Sequence, residues 1–221
     1  MAALAGRWRP MSHWSKLDMA PTVRGCCVKR SRTVLAIVAI MAVAVFVPLA
    51  FASQDTPKPL GRPDMSGLHD FDFLVGDWRV HSRKLKDPLS GHQDWIEFEG
   101  TISSRRLMEG QANVDDTVFN MPGGIYRGVA PRAYDPNTGQ WAIWWIDGRN
   151  PFGDLDPPVK GRFVHDVGTF YADDTLRGKP IKVRFIWSGI ARNTAHWEQA
   201  YSSDGGKTWE TNWVQILERV R

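Results

Sequence analysis

Hydrophobic residues form two different patterns along this chain of 221 residues. Residues 34–52 form an apolar stretch without a charge, long enough for the core of a signal sequence or for a membrane-spanning helix. After residue 76, apolar and polar residues alternate in short runs separated by turn-forming residues. Because a period of two places successive side chains on opposite faces of a strand, this second pattern predicts an all-β domain.

The alternating part of the chain predicts about ten strands. Alternation is clearest at Ile181, Val183, Phe185 and Trp187, and short polar connections such as residues 135–139 favour hairpins between consecutive strands. A meander of this kind leaves two unpaired edges unless it closes, so we expect an antiparallel up-and-down barrel. The predicted strands span residues 77–86, 94–106, 110–119, 126–134, 140–147, 160–166, 168–173, 181–190, 194–202 and 210–220.

The first 52 residues have the organisation of a secretory leader. A basic segment precedes the apolar stretch, and Ala50 and Ala52 are small residues at the positions that a signal peptidase reads. We predict a signal peptide over residues 1–52 and a periplasmic or secreted domain that begins at Ser53. In the alternative interpretation the leader is an uncleaved anchor, which is then the only membrane contact and keeps the domain outside the cytoplasm.

The remaining sequence divides into a linker and a folded domain. Residues 53–68 are rich in proline, glycine and polar residues and predict a flexible connection. Residues 69–221 form the predicted barrel domain, which begins with one helical turn at residues 69–74 that closes one end.

The distribution of charge and cysteine excludes several classes of function. The chain has 28 basic and 24 acidic residues, but seven basic residues and one acidic residue belong to the leader, so residues 53–221 carry 21 and 23. A net charge of −2 without a basic stripe argues against nucleic-acid binding. Both cysteines, Cys26 and Cys27, lie in the leader, so the domain has no thiolate for a metal site. The residues themselves predict no cofactor.

Nine of the 11 tryptophans lie in the predicted domain. Each indole buries a large apolar area and carries one N–H group that needs a partner. They can form an aromatic core, or some of them can line a cavity for a small apolar or amphipathic molecule. The candidate ligand-binding residues are Trp78, Trp145, Phe185, Trp187, Trp197, Trp213 and Arg219.

Acidic residues and one long loop provide further candidates. Glu97 and Glu99 share one strand face, which is either solvated or turned into a cavity where paired carboxylates could act as acid and base. Asp115 and Asp116 form a second acidic pair. The irregular stretch at residues 147–159 is long enough to act as a lid at one end of the barrel.

Residues 202–209 read Ser-Ser-Asp-Gly-Gly-Lys-Thr-Trp. This motif is similar to the Asp-box of sialidase-like propellers, but a propeller requires repeats and the sequence has one copy. We therefore expect a structural hairpin in which Asp204 caps the turn and the glycines allow positive φ.

The opening of the predicted first strand carries a family resemblance. Gly76-Asp77-Trp78 resembles the signature of lipocalins and other calycins, and residues 73–78 resemble a bacterial family of uncharacterised, secreted, calycin-like barrels. Nitrobindin-type haem barrels have a similar opening. The resemblance covers residues 69–220 and implies that Trp78 closes one end of the barrel beneath a basic side chain of the last strand, for which Arg219 is the candidate. By the haem analogy, His165 or His196 would be the axial ligand.

Three classes of function remain open at the sequence level. The preferred hypothesis is an exported barrel that binds a small, partly apolar ligand in its lumen. The first alternative is a barrel enzyme, such as an isomerase, a cyclase or a haem-dependent catalyst. The second alternative is an accessory or interaction protein with a filled barrel. A fold shared by many functions does not decide among them.

Overall fold

The computed structural model describes residues 63–220. The predicted leader and most of the predicted linker lie outside the described residues. Within residues 63–220, no helix has the length and apolar character needed to cross a bilayer. Asp64 and Gly67, which the pattern assigns to the linker, are bonded to the barrel: the Asp64 amide donates to Pro136 O, and the Tyr134 hydroxyl donates to Asp64 O.

The described residues contain eleven strands and two short 3-10 helices, Asp72–Leu74 and Met108–Gly110. The strands are β1 (Gly76–Leu85), β2 (Trp95–Leu107), β3 (Ala112–Met121), β4 (Gly124–Asp135), β5 (Gln140–Ile143), β6 (Ile146–Asp147), β7 (Val159–Val164), β8 (Val167–Leu176), β9 (Lys179–Ser188), β10 (Thr194–Ser202) and β11 (Glu210–Arg219).

Consecutive strands pair antiparallel around a closed ring. β11 pairs with β1, and β5 and β6 both pair with β4, so these two short segments form one interrupted strand of a ten-stranded barrel. The predicted all-β, up-and-down, calycin-like barrel is therefore confirmed. Each predicted strand has its counterpart, and the fifth is broken at Trp144 and Trp145.

The predicted alternation separates the lumen from the outer surface. Ile181, Val183 and Trp187 of β9 are buried, and the same parity places Trp78, Val80 and Ser82 of β1 inside. Glu97 and Glu99 lie on the outer face, where they pair with Arg83 and His81. The alternative that these two glutamates point into a cavity is therefore wrong, because their strand presents Phe98 and Gly100 to the lumen.

A turn at the start of the domain closes one end of the barrel. Phe71 and Leu74 are fully buried, and the Phe71 ring meets the edges of Phe163 at 5.0 Å and Trp141 at 5.1 Å. The predicted helical turn is thus present as the 3-10 helix Asp72–Leu74. We call this end, with residues 66–75, the closed end, and the opposite end the open end.

Trp78 and Arg219 seal the closed end. They are partners in the β1–β11 ladder, and the Arg219 guanidinium carbon lies 4.2 Å from the Trp78 ring centroid. The predicted contact is therefore confirmed. Gly76 is required beside it, because its φ is +122° and a Cβ would lie 2.6 Å from Arg219 Nη1. Arg219 also donates hydrogen bonds to the carbonyls of Phe73, Val75 and Arg192.

Truncation of this pair tests the closed end. Trp78→Ala should lower the free energy of unfolding by roughly 3–5 kcal/mol, and Arg219→Ala by roughly 1–3 kcal/mol through lost hydrogen bonds and stacking. Because the residues touch, the double variant should depart from additivity by about 0.5–3 kcal/mol in chemical denaturation. Additive losses would show that the contact does not couple the two strands.

The Asp204 hairpin lies at the open end and is built as predicted. Asp204 accepts hydrogen bonds from the amides of Lys207 and Thr208 and from the hydroxyls of Thr208 and Ser202. Trp209 packs outside the barrel, 4.5 Å beneath the Arg184 guanidinium. Hydrogen bonds from Thr208 first, and then from Ser202, hold the pKa of Asp204 well below its usual range.

This lowered pKa predicts a pH dependence of stability. A carboxylate with a depressed folded pKa stabilises the fold above its unfolded pKa of about 3.9, and loses this effect as the pH falls towards the folded value. Asp204→Asn should therefore have a lower melting temperature than the wild type. The difference in melting temperature should be largest above pH ~4 and should become smaller at lower pH. Asp154→Asn, in an exposed loop, is the control. A gap that is independent of pH would contradict this origin.

Candidate functional site

The predicted ligand-binding residues occupy three levels of the barrel. Trp78, Arg219 and Trp187 lie in the closed half, where Trp187 contacts Phe71 and Phe73. Phe185, Trp197 and Trp213 form an aromatic row in the open half, with ring centroids 4.9 Å and 5.7 Å apart. Trp145 lies at the open rim against Tyr126. The seven side chains therefore do not surround one common space, and their ligand-binding role stays a prediction.

The closed half of the lumen is filled by side chains. Trp78, Leu74 and Phe170 are 0% exposed, and Phe71 and Trp141 are 1% exposed. Two surface depressions, of about 250 and 270 Å³, lie outside the lumen, one beside the closing turn and the other on the outer faces of β1, β2 and β11. Aromatic side chains also pack the lumen towards the open end, where Phe119, Phe98 and Trp213 are 2%, 5% and 8% exposed, so a ligand there would have to displace side chains.

A buried ion pair stands within the filled half. Arg132 and Asp115 are 4% and 2% exposed, and Arg132 Nη2 donates to Asp115 Oδ2 over 2.6 Å. Arg132 Nη1 donates to Asn113 Oδ1 over 3.0 Å, and its guanidinium lies 5.1 Å from the Phe71 ring centroid. Arg132 Nε and Asp115 Oδ1 form no hydrogen bond with the described residues, but each charge has its counter-ion beside it in an apolar environment, so we assign this pair to the core rather than to a ligand.

Removal of one charge tests this assignment. Asp115→Ala should destabilise the domain by about 3–5 kcal/mol, because Arg132 stays buried without its partner. The double variant Asp115→Leu/Arg132→Met should lose less than this single variant in chemical denaturation. Asp116→Ala, at the exposed neighbouring position, should change stability by at most about 0.5 kcal/mol. Equal losses for the single and double variants would show that charge pairing is not the cause.

Lys84 is a second cation in the lumen and has a different environment. It is the last inward residue of β1, and its Nζ lies 3.8 Å from the ring centroid of Trp213, its partner on β11. Burial, and then the positive charge of Arg149, lower the pKa of Lys84 to about 8, while Asp147 opposes this shift. Among the described residues, no carboxylate lies within ion-pairing distance of Lys84, since Asp147 is paired with Arg149.

Two further donors beside Lys84 have no partner. The Trp213 indole Nε1 and the Ser82 hydroxyl are buried, and neither forms a hydrogen bond with the described residues. Ser82 precedes Lys84 by one inward position on β1, and Trp213 lies opposite Lys84 on β11. A buried donor without an acceptor is costly, so this group of three donors is suited to an acceptor-rich ligand.

An aromatic and charged wall faces Lys84 at the open rim. Trp145 Nε1 donates to the Tyr126 hydroxyl over 2.8 Å, and the Arg149 guanidinium lies 4.5 Å from the Tyr126 ring centroid. Burial and the Asp147 carboxylate raise the pKa of Tyr126 to about 12, so its hydroxyl stays protonated. The wall requires Gly128, because a Cβ there would lie 2.1 Å from the Trp145 ring.

The interrupted strand leaves this part of the barrel wall incomplete. β7 pairs with β5 at residues 141–143, and the described ladder contains no pair between β7 and β6. The predicted irregular stretch follows as residues 148–158 and carries Phe152 and Leu155, which are 99% and 53% exposed. We define the candidate site as Ser82, Lys84, Tyr126, Trp145 and Trp213, with this loop beside it.

The sequence interpretation did not select Lys84 or Tyr126. Lys84 continues the series of inward residues Trp78, Val80 and Ser82. This series can be recognised only when the strand register is known. Asp147 and Arg149 were noted as the start of a loop, whereas the structure makes them an ion pair at the rim.

Neither histidine named by the haem analogy lies in the lumen. His165 lies in the exposed turn between β7 and β8, and His196 lies on the outer face of β10 beside Ser188 and Glu198. Within residues 63–220, no three histidine, cysteine or acidic side chains cluster as metal ligands.

The fold and the site define a calycin-like barrel with a donor-rich open end. No protein-family model and no curated protein matches this chain. Among solved structures, the chain is similar to Rv2717c from M. tuberculosis, with 11% identity, a TM-score of 0.48, and coverage of 71% of this chain and 98% of that one. Membership of the secreted bacterial family stays a prediction.

Two other solved structures are similar. The S-type phycobiliprotein lyase CPES from Guillardia theta has 10% identity, a TM-score of 0.46, and coverage of 68% of this chain and 90% of that one. A protein of the DUF3598 family from Nostoc punctiforme has 9% identity, a TM-score of 0.22, and coverage of 70% and 99%. Similarities of this size assign no ligand and no site residue to the chain.

Proposed function

We propose that this barrel binds a small molecule with an apolar body and an acidic head in the open half of its lumen. The observation that carries the proposal is the Lys84 ammonium, which lies over the Trp213 ring without a carboxylate partner among the described residues. A cation in apolar surroundings costs free energy unless an anion or acceptor compensates it. An acidic ligand head supplies that compensation.

The neighbouring donors support the same ligand class. A carboxylate accepts several hydrogen bonds, and the Trp213 N–H and the Ser82 hydroxyl are two buried donors beside Lys84. The apolar body would lie towards the rim against Trp145, because the closed half is filled. Phe152 and Leu155 of the adjacent loop can cover that body and lose their exposure.

We also propose that the domain acts outside the cytoplasm. The basic segment, the apolar residues 34–52 and the small residues before Ser53 support export to the periplasm or beyond, with an anchored form as the alternative. The small net charge of residues 53–221 supports a small molecule, rather than nucleic acid, as the partner.

Calorimetric titration with decanoate tests the acidic head, with decanol as a neutral probe of equal chain length. The protein is purified after expression of the full chain. Lys84→Met should weaken decanoate binding at least about tenfold, equivalent to ~1.4 kcal/mol, and leave decanol binding unchanged. Lys182→Met, which removes an exposed lysine of β9, should change neither. Decanoate affinity should also fall as the pH rises above about 8, because Lys84 then loses the proton that carries its charge.

Two results would contradict the proposal. One is the absence of decanoate binding to the wild-type protein. The other is equal decanoate affinity of the wild type and Lys84→Met, since the carboxylate would then be held elsewhere.

A further inference from the structure

Lys84 combines an apolar environment with partial exposure. Its side chain is half-buried rather than sealed. The neighbouring strands present uncharged residues to it, Ile96 on β2 and Trp213 and Gln215 on β11. The charged groups that face it from β6 and the following loop are the ion-paired Asp147 and Arg149, of which Arg149 acts more strongly on Lys84.

We propose that Lys84 is a nucleophilic amine that forms an imine with aldehyde or ketone ligands entering the open end. This inference rests on the proposed site and adds a covalent step to it. The environment is of the kind that activates lysine, because desolvation in an apolar pocket favours the neutral amine over the ammonium ion.

The covalent step is balanced without a redox partner. Lys84 first releases a proton to solvent, and its lone pair then forms a bond to the carbonyl carbon. The carbonyl oxygen takes a proton and the nitrogen releases one of its two, which gives the hydroxyl and the secondary amine of a carbinolamine. That hydroxyl leaves as water, with a second proton from solvent, and the nitrogen loses its remaining proton as the carbon–nitrogen double bond forms. One amine and one carbonyl compound therefore give one imine and one water.

The unpartnered donors have a role in this step. Negative charge develops on the carbonyl oxygen as the amine adds, and prearranged donors stabilise such a charge. The Trp213 N–H and the Ser82 hydroxyl are buried donors that flank Lys84 along and across the β1–β11 ladder. The same groups that would bind an acidic head can therefore polarise a carbonyl.

The lowered pKa of Lys84 favours addition of its amine to a carbonyl at neutral pH. With a pKa of about 8, roughly a tenth of Lys84 is neutral at pH 7. An ordinary lysine, with a pKa of about 10.4, is neutral in fewer than about one molecule in a thousand. Lys84 should therefore react on the order of 100 times faster than an exposed lysine when access is equal.

Reductive trapping tests the inference on the full-chain protein. The protein is incubated at pH 7 with decanal and cyanoborohydride, which reduces an imine to a stable secondary amine, and peptide mass spectrometry locates the adducts. We expect Lys84 to be labelled on the order of 100-fold faster than Lys182 of the same molecule. Its rate should level off above pH ~8, whereas the rate at Lys182 should keep rising. Lys84→Arg should abolish the fast adduct, and Lys182→Arg should retain it.

The comparison within one molecule also distinguishes this inference from the proposed function. If decanal displaces decanoate but Lys84 is labelled no faster than Lys182, the imine inference is overturned and anion binding stands. If decanoate does not bind while Lys84 is labelled rapidly, the acidic-head proposal fails and the nucleophilic lysine stands. If neither occurs, both are overturned.

Discussion

The barrel depends on the pairing of its first strand with its last. The Trp78–Arg219 contact lies at the end of that ladder and joins residues that are distant in sequence, so the chain closes its largest loop there. Arg219 also donates hydrogen bonds to the carbonyls of Phe73, Val75 and Arg192, which ties the closing turn to the β9–β10 connection. Arg219 thus contributes both to the closure of the ring and to the sealing of one end. The structure of the opposite end can therefore vary without opening the ring.

The two cations of the lumen, Arg132 and Lys84, differ in the environments that the closed end and the open end provide. Arg132, in the filled half, has Asp115 and Asn113 as partners, although Arg132 Nε and Asp115 Oδ1 form no hydrogen bond with the described residues. Lys84, near the open end, has an aromatic ring beneath it and a lowered pKa. An aromatic face compensates a buried charge only in part. Lys84 therefore differs from Arg132 in having no carboxylate partner among the described residues.

The sequence predicted the fold in more detail than the site. Strand spacing and alternation gave ten strands, and the Gly76–Trp78 motif with a terminal arginine indicated the closed end, because these signals are local or belong to the chain ends. Lys84 and Arg132 could not be recognised in the same way. The environment of each side chain depends on which face of its strand is inward and on which residue lies opposite, and both depend on the register between paired strands. The break between β5 and β6 was missed because its apolar residues continue the strand pattern.

That break bears on how the proposed ligand would enter a barrel whose lumen is packed with side chains. β6 is held by β4 on one side, and the described ladder gives it no partner on the other, so the wall beside Trp145 has fewer hydrogen bonds than the rest of the ring. Segments with few backbone bonds and exposed apolar side chains open locally at low free energy, whereas the β1–β11 seam cannot open without loss of the fold. Movement of Trp145 and the Phe152 loop would enlarge the space above Lys84 and leave ring closure intact. The interrupted strand therefore places the part of the wall with the fewest backbone hydrogen bonds beside Lys84.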